Sequence, residues 1–131
     1  MALVSKLIQS GFARRQAQAI GFTSEELVLT GTNQSDAVQI NESFTRLEGT
    51  DGNKGAILPT YDLSATGLHF LVTKGESNLY FLYPAVGEKL NLQVADSPLK
   101  IPAGSHVICV LCDFPTSGRS WFCMTAAEAL P

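Results

Sequence analysis

The sequence lacks any long hydrophobic run, is poor in charge and contains only three cysteines. No stretch of about 18 apolar residues occurs, which excludes an ordinary membrane-spanning helix. Three is a small and odd number of cysteines, so a disulfide framework does not hold the fold together. The chain has 131 residues, of which 45% are hydrophobic and 16% charged. This composition is typical of one folded domain and excludes a disordered chain.

Positive charge is scarce and scattered. Nine basic residues stand against twelve acidic ones, which gives a net charge of −3, and Arg14–Arg15 is the one adjacent basic pair. Binding to phosphates needs clustered lysine and arginine, so we expect no nucleic-acid partner. In residues 1–19 the arginines follow the apolar residues, the reverse of an export signal. We therefore expect a protein made and kept in a reducing cytoplasm, with no membrane partner.

Residues 1–24 differ in pattern from the rest of the chain. Leu3, Leu7 and Ile8 recur at helical spacing, and Ala13 to Ile20 contains good helix formers. The pattern predicts a short helical N-terminal arm over 1–24. Such an arm is too short to carry its own core, so it must pack on the main domain or on another chain.

From about residue 26 the apolar pattern has a period of two, which is typical of β-strands. About eight to ten short strands with no helix between them predict an all-β domain over 25–131, either a β-sandwich of jelly-roll type or a barrel. Loop 74–78 is predicted to join its flanking strands as a hairpin. The predicted strands are 27–30, 37–41, 44–48, 56–59, 68–73, 79–83, 89–94, 107–114 and 120–124.

Alternation along these strands predicts the core. Ile57, Phe70, Phe81, Ile108 and Trp121 are its expected members. Large side chains occur on both faces of the strand at 79–83, so both faces need cover. In a chain this small, a second subunit supplies that cover most easily. We therefore expect a homo-oligomer, a dimer or a trimer.

The histidines and cysteines suggest two kinds of chemistry, and the spacing favours neither. His106, Cys109, Cys112 and Cys123 resemble a zinc set, but positions 109 and 112 face opposite sides of a regular strand. Buried structural cysteines are the better interpretation. His69 lies between two apolar strand residues, where a satisfied histidine is commoner than a catalytic base. We predict no metal site and no catalytic residue.

Acidic residues occur where turns are predicted. Asp51, Asp62, Glu76, Glu88 and Asp96 stand in or beside predicted loops, where such side chains stabilise turns. Paired carboxylates for glycoside hydrolysis need a cleft that holds them at a set separation, and the sequence indicates none.

Several turn and strand motifs follow one another between Gly55 and Trp121. A strand ends in Leu58–Pro59, a hairpin ends in the turn Tyr83–Gly87, the turn Ala103–Gly104 precedes an apolar strand, and Gly118–Trp121 opens the closing strand. This order resembles a pattern of small virion proteins of tailed bacteriophages. The stretch SKLIQSGFARRQAQAIGF is similar to short helical leaders that precede that module.

The resemblance implies a non-enzymatic capsid decoration (cement) protein without a cofactor. Such a protein binds the major capsid protein on the outer head shell, and it is found in the virion after synthesis in the host cytoplasm. The alternative is a tail or head-fibre module that binds a host glycan or another tail protein, with Trp121 and Tyr61 as exposed aromatics. Because the arm has no core of its own, the expected capsid or subunit contacts are Leu3, Leu7, Ile8, Phe12 and Ile20, with Tyr80 and Tyr83 as second candidates.

Overall fold

The computed structural model describes residues 23–49, 52–64, 66–73 and 79–127. These residues form an all-β fold, as predicted, with one short 3-10 turn at Gln34–Asp36 as their helical element. Residues 1–22 of the predicted arm lie outside the described residues, and Ser24 already belongs to a strand. The strands are β1 Ser24–Val28, β2 Val38–Gln39, β3 Phe44–Glu48, β4 Lys54–Ile57, β5 Leu68–Thr73, β6 Tyr80–Tyr83, β7 Leu99–Ile101, β8 Ser105–Phe114 and β9 Gly118–Ala127.

Successive strands from β1 to β6 alternate between two sheets. Strands β1, β3 and β5 pair in parallel in one sheet, and β2, β4 and β6 pair in parallel in the other. The chain therefore winds as a coil, and each turn of the coil adds one strand to each sheet. Jelly rolls pair their strands antiparallel, so this part of the fold is ordered differently.

The last three strands pair antiparallel and complete both sheets. Strand β7 joins β6, while β8 joins β5 and forms a long hairpin with β9. The larger sheet has the order β1-β3-β5-β8-β9 and the smaller sheet β2-β4-β6-β7.

Three local predictions are wrong. The hairpin predicted around loop 74–78 does not form, because β5 and β6 belong to different sheets. The strand predicted at 89–94 is reduced to one bridge between Leu90 and Trp121. The segment 98–104 lies outside every predicted strand, yet it contains β7, whose apolar residues Leu99 and Ile101 lie opposite Leu82 and Tyr80 of β6.

One hydrophobic core lies between the sheets. Trp121 is fully buried in it, as predicted, with Leu47, Leu71, Leu82 and Val107 around it. The other four predicted core residues are not part of this cluster. Phe70 is buried on the opposite face of its strand, and Ile57, Phe81 and Ile108 are only half-buried. Their immediate neighbours in sequence fill the core, because these strands are apolar on both faces.

Candidate functional site

The outer face of the larger sheet is mostly apolar, with Arg46, His106 and Cys112 among its polar members on β3 and β8. Residues that alternate with the core positions of β3, β5, β8 and β9 point away from the smaller sheet. Phe44, Phe70, Ile108 and Met124 lie in register across these four strands. We call the whole set the outer apolar face, which consists of Phe44, Leu68, Phe70, Val72, Ile108, Val110, Phe114, Phe122 and Met124.

Aromatic contacts organise the outer apolar face. The rings of Phe44 and Phe70 stack with their centroids 6.1 Å apart, and Phe114 meets Phe122 edge-to-face at 5.3 Å. Met124 remains 61% exposed and Phe114 38% exposed. Phe70, in the middle of the face, is only 3% exposed, so the exposed apolar surface lies mainly at Met124 and Phe114. Exposed apolar side chains that adjoin one another across a sheet are typical of an interaction site.

Charge lies at one edge of this face. Arg46 and Glu26, on neighbouring strands, form an ion pair with a nitrogen–oxygen distance of 3.6 Å. Both side chains are exposed, so the pair adds little stability. Beside them a depression of about 420 Å³ is bordered by Phe44 and Val72. The edge therefore combines both signs of charge with apolar surface.

The two tyrosines predicted as second interface candidates have different positions from those expected. Tyr80 is 1% exposed and lies in the core, so its side chain offers almost no surface to a partner. Tyr83 is 8% exposed and lies against Gly55 of the adjacent strand. A Cβ atom at Gly55 would come within 2.7 Å of the Tyr83 ring, so glycine allows this close packing. Part of the Tyr83 side chain is therefore buried by residues of the chain itself.

The five interface residues predicted in the arm lie outside the described residues. They are Leu3, Leu7, Ile8, Phe12 and Ile20. Their role as contacts stays a prediction.

In the described part of the chain, the cluster that most resembles a catalytic site is a serine–histidine pair, which was not predicted from the sequence. Nε2 of His69 lies 2.9 Å from Oγ of Ser64, and Nδ1 lies 2.8 Å from the carbonyl oxygen of Glu42. A carbonyl can only accept, so Nδ1 carries the proton and Nε2 accepts from the serine hydroxyl. The spacing of five residues across a loop gives no recognisable sequence signal.

The fold itself uses both members of this pair. The Ser64 hydroxyl also accepts the backbone N–H of Gly67 at 3.0 Å, which closes the turn before β5. His69 is 2% exposed, and burial lowers its pKa below the ordinary value. A neutral histidine beside a hydroxyl is the geometry of an activated nucleophile. Here it ties β5 to the segment that precedes β3, which confirms the prediction of a satisfied histidine.

The cysteines do not assemble as a zinc set. Cys109 lies in the core, whereas Cys112 lies on the opposite side of β8 and is half-buried, as the alternation predicts. In the part of the chain that the structure describes, no group of three or more histidine, cysteine or acidic side chains is placed to hold a metal ion.

Of the acidic loop residues that the structure describes, Glu88 and Asp96 bind backbone N–H groups of turns, and Asp62 pairs with a strand residue. Glu88 accepts the backbone N–H of Tyr61 at 3.0 Å, Asp62 pairs with Arg119 at 3.1 Å, and Asp96 accepts the N–H of Gly87 at 2.7 Å. Asp51 and Glu76 lie outside the described residues. The contacts of Glu88 and Asp96 agree with the prediction that acidic residues stabilise turns, whereas the ion pair of Asp62 links its loop to β9.

Trp121 cannot serve as a sugar-binding platform in this conformation. Its side chain is fully buried and packs against His69 and Tyr61, with ring centroids 5.1 Å and 6.3 Å apart. Of the two aromatic residues predicted for a glycan site, Trp121 is therefore not available to a sugar.

Comparison of the chain with protein-family models, with curated proteins and with solved structures gives no match. Within the described ranges, no helix has the length and apolar character needed to cross a membrane.

Proposed function

We propose that this chain is a structural protein of a bacteriophage virion, a decoration protein that binds the outer head shell as a homo-oligomer. The observation that supports the proposal is the outer apolar face, with Met124 61% exposed at its far end. Such a face costs solubility unless another surface covers it. A capsid lattice suits a protein of this kind, because many weak copies bind a repeated surface through avidity.

A second copy of this chain is the occupant we propose for the outer apolar face. Interfaces between identical subunits are the most apolar class of protein interface. A symmetric interface must also be self-complementary. The Glu26–Arg46 pair presents both signs of charge at one edge, so two copies related by symmetry can exchange ion pairs there.

We infer that the N-terminal arm supplies the contact to the shell. The arm contains the five predicted contact residues, of which Leu3, Leu7 and Ile8 recur at helical spacing, and it precedes β1, the first strand in the order of the larger sheet. The finer architecture that goes with this function is a β-sandwich, and two sheets around one core are compatible with it.

The copy number of the chain in purified virions tests this function. Quantitative mass spectrometry should find the chain in a fixed ratio to the major capsid protein, as expected for every position of a lattice. A few copies per particle would instead indicate the portal, the tail or a fibre. Absence from washed virions would refute the virion function.

A further inference from the structure

Two of the three cysteines face each other across neighbouring strands. Cys109 on β8 is paired in register with Cys123 on β9. Both side chains point into the core, with Cys109 fully buried and Cys123 7% exposed. Their sulfur atoms are 2.9 Å apart.

The backbone around Cys123 shows which kind of cross-strand pair this is. Its N–H donates to Oδ1 of Asn91 at 2.8 Å, and its carbonyl accepts from Nδ2 of Asn91 at 3.3 Å. Both backbone groups therefore point away from β8. Cys109 and Cys123 form a non-hydrogen-bonded pair, in which the Cα atoms of an antiparallel ladder lie about 4.5 Å apart. A disulfide bridges Cα atoms about 4.4 to 6.8 Å apart, so the backbone already has a suitable spacing.

We propose that Cys109 and Cys123 are a site of reversible oxidation, at which the folded protein forms a disulfide between β8 and β9. This inference goes beyond the proposed function and does not rest on it. A disulfide bond is about 2.05 Å long, so side-chain rotation has only a short distance to cover. Cys112 faces the other side of β8 and cannot compete for either partner within the chain.

A small peroxide is the class of oxidant that suits this site, because Cys109 is fully buried and its partner Cys123 is only 7% exposed. The Cys123 thiolate attacks one peroxide oxygen, the O–O bond breaks, and the leaving hydroxide takes up the thiol proton as water. Cys123 is then a sulfenic acid. The Cys109 sulfur attacks the Cys123 sulfur, the S–O bond breaks, and the hydroxide leaves with the Cys109 proton as a second water. Two thiols are oxidised and one hydrogen peroxide is reduced.

Closing this bond would join the two strands of the long hairpin covalently. The cysteines are 14 residues apart in sequence, and a loop of that size removes appreciable entropy from the unfolded chain. We expect the thermal midpoint to rise by about 10 °C on oxidation. A protein that leaves a reducing cytoplasm would thus become more stable outside it.

The experiment treats the folded full-length chain with hydrogen peroxide, removes the peroxide, and alkylates all remaining thiols in denaturant. Intact mass spectrometry should show the loss of two hydrogen atoms and alkylation of Cys112 only. Peptide mapping should find Cys109 linked to Cys123, and a thiol reductant should reverse both the link and the shift in thermal midpoint. Cys112→Ser is the matched control and should give the same linked peptide, whereas Cys123→Ser should give none.

Three results would overturn the proposal. Full alkylation of all three cysteines after peroxide treatment would show that the pair is inert. Dimers linked through Cys112, with Cys109 and Cys123 still alkylated, would place the oxidation elsewhere. A sulfinic acid on Cys123 without a link to Cys109 would show that the second step does not occur.

Discussion

At the scale of single residues, the buried imidazole of His69 makes stability depend on pH. Its folded-state pKa lies below the ordinary value of 6.5 because burial disfavours the charged form. The unfolded chain therefore binds the proton more readily, and stability decreases as pH falls from 6.5 towards the folded-state pKa. We expect the urea midpoint at pH 5.5 to lie below that at pH 7.5.

Replacement of this histidine tests that explanation. His69→Gln should lower the midpoint at pH 7.5, because hydrogen bonds to Ser64 and Glu42 are lost, but it should reduce the further loss at pH 5.5. His106→Gln is the control, since His106 is half-buried and makes one long contact to the N–H of Thr73. An equal pH dependence in His69→Gln and the wild type would contradict the assignment.

The absence of a side chain at Gly55 allows the Tyr83 ring to pack closely against the backbone. Gly55→Ala places a methyl group 2.7 Å from the Tyr83 ring and 3.2 Å from the Phe81 carbonyl oxygen. Overpacking of this kind costs about 1 to 3 kcal/mol, which denaturant unfolding can resolve. Gly52→Ala has no atom within 4 Å of the added group and should change stability far less. Equal effects of the two substitutions would show that backbone freedom, rather than packing against Tyr83, is what matters.

At the scale of elements, Glu25 links β1 to the turn that precedes β3. Its carboxylate accepts the backbone N–H groups of Asn41 and Glu42 at 2.8 Å and 2.7 Å, and the Thr45 hydroxyl at 3.1 Å. Glu25→Ala leaves these donors unpaired, so we expect a loss of about 2 kcal/mol. Hydrogen exchange should accelerate at Asn41 and Glu42 before the core strands are affected.

The neighbouring residue provides the control for this prediction. Glu26→Ala removes only an exposed ion pair with Arg46 and should cost less than about 0.5 kcal/mol. If both substitutions had the same small effect, the turn would be held by its backbone alone.

The elements were predictable where the period-two pattern has clear ends. Strands β3 and β5 have the predicted bounds, because polar or glycine-containing segments flank both. It was harder to predict which residues of each strand point into the core, since a shift by one residue exchanges the two faces of a strand. Leu71 and Leu82 fill the core where Phe70 and Phe81 were expected, and both members of each pair are apolar. Pattern alone cannot distinguish them.

Strand pairing was the least predictable feature. Short loops favour antiparallel neighbours, so the strands around loop 74–78 were expected to pair directly. In the structure they pair instead with strands one turn of the coil earlier. The coil turns differ in length, since Val38 pairs with Ala56 whereas Phe44 pairs with Phe70, so no fixed sequence repeat marks them. The contact between His69 and Glu42 depends on this winding, because the pairing of β3 with β5 brings these two distant residues together.

At the scale of the whole molecule, the outer apolar face predicts self-association. Met124→Lys places a charge on the most exposed apolar side chain of that face and should shift the protein towards monomer in analytical ultracentrifugation. Val94→Lys is the matched control, because Val94 is 78% exposed but lies in a loop and is not one of the residues of the outer apolar face. Val94→Lys should keep the thermal midpoint of the wild type, whereas Met124→Lys should lose only the stabilisation that association adds. An unchanged mass for Met124→Lys would contradict the proposed interface.

The arm gives a separate prediction about attachment. Leu7→Asp with Ile8→Asp should abolish binding to decoration-free capsids, because charge replaces apolar contact surface. Ser5→Asp is the control and adds charge at a polar position of the same segment. Co-sedimentation with capsids is the measurement, and full binding by the double variant would remove the arm from the interface.

The sheet order also governs when this protein can finish folding during synthesis. Strand β5, near the middle of the chain, needs β8 as its second neighbour, and β6 needs β7. The ribosome releases these partners last, so the earlier coil turns emerge with open edges and wait for the C-terminal hairpin. A nascent chain that stalls before residue 105 should therefore stay protease-sensitive and depend on chaperones. Only a chain that has been made as far as β9 can complete both sheets.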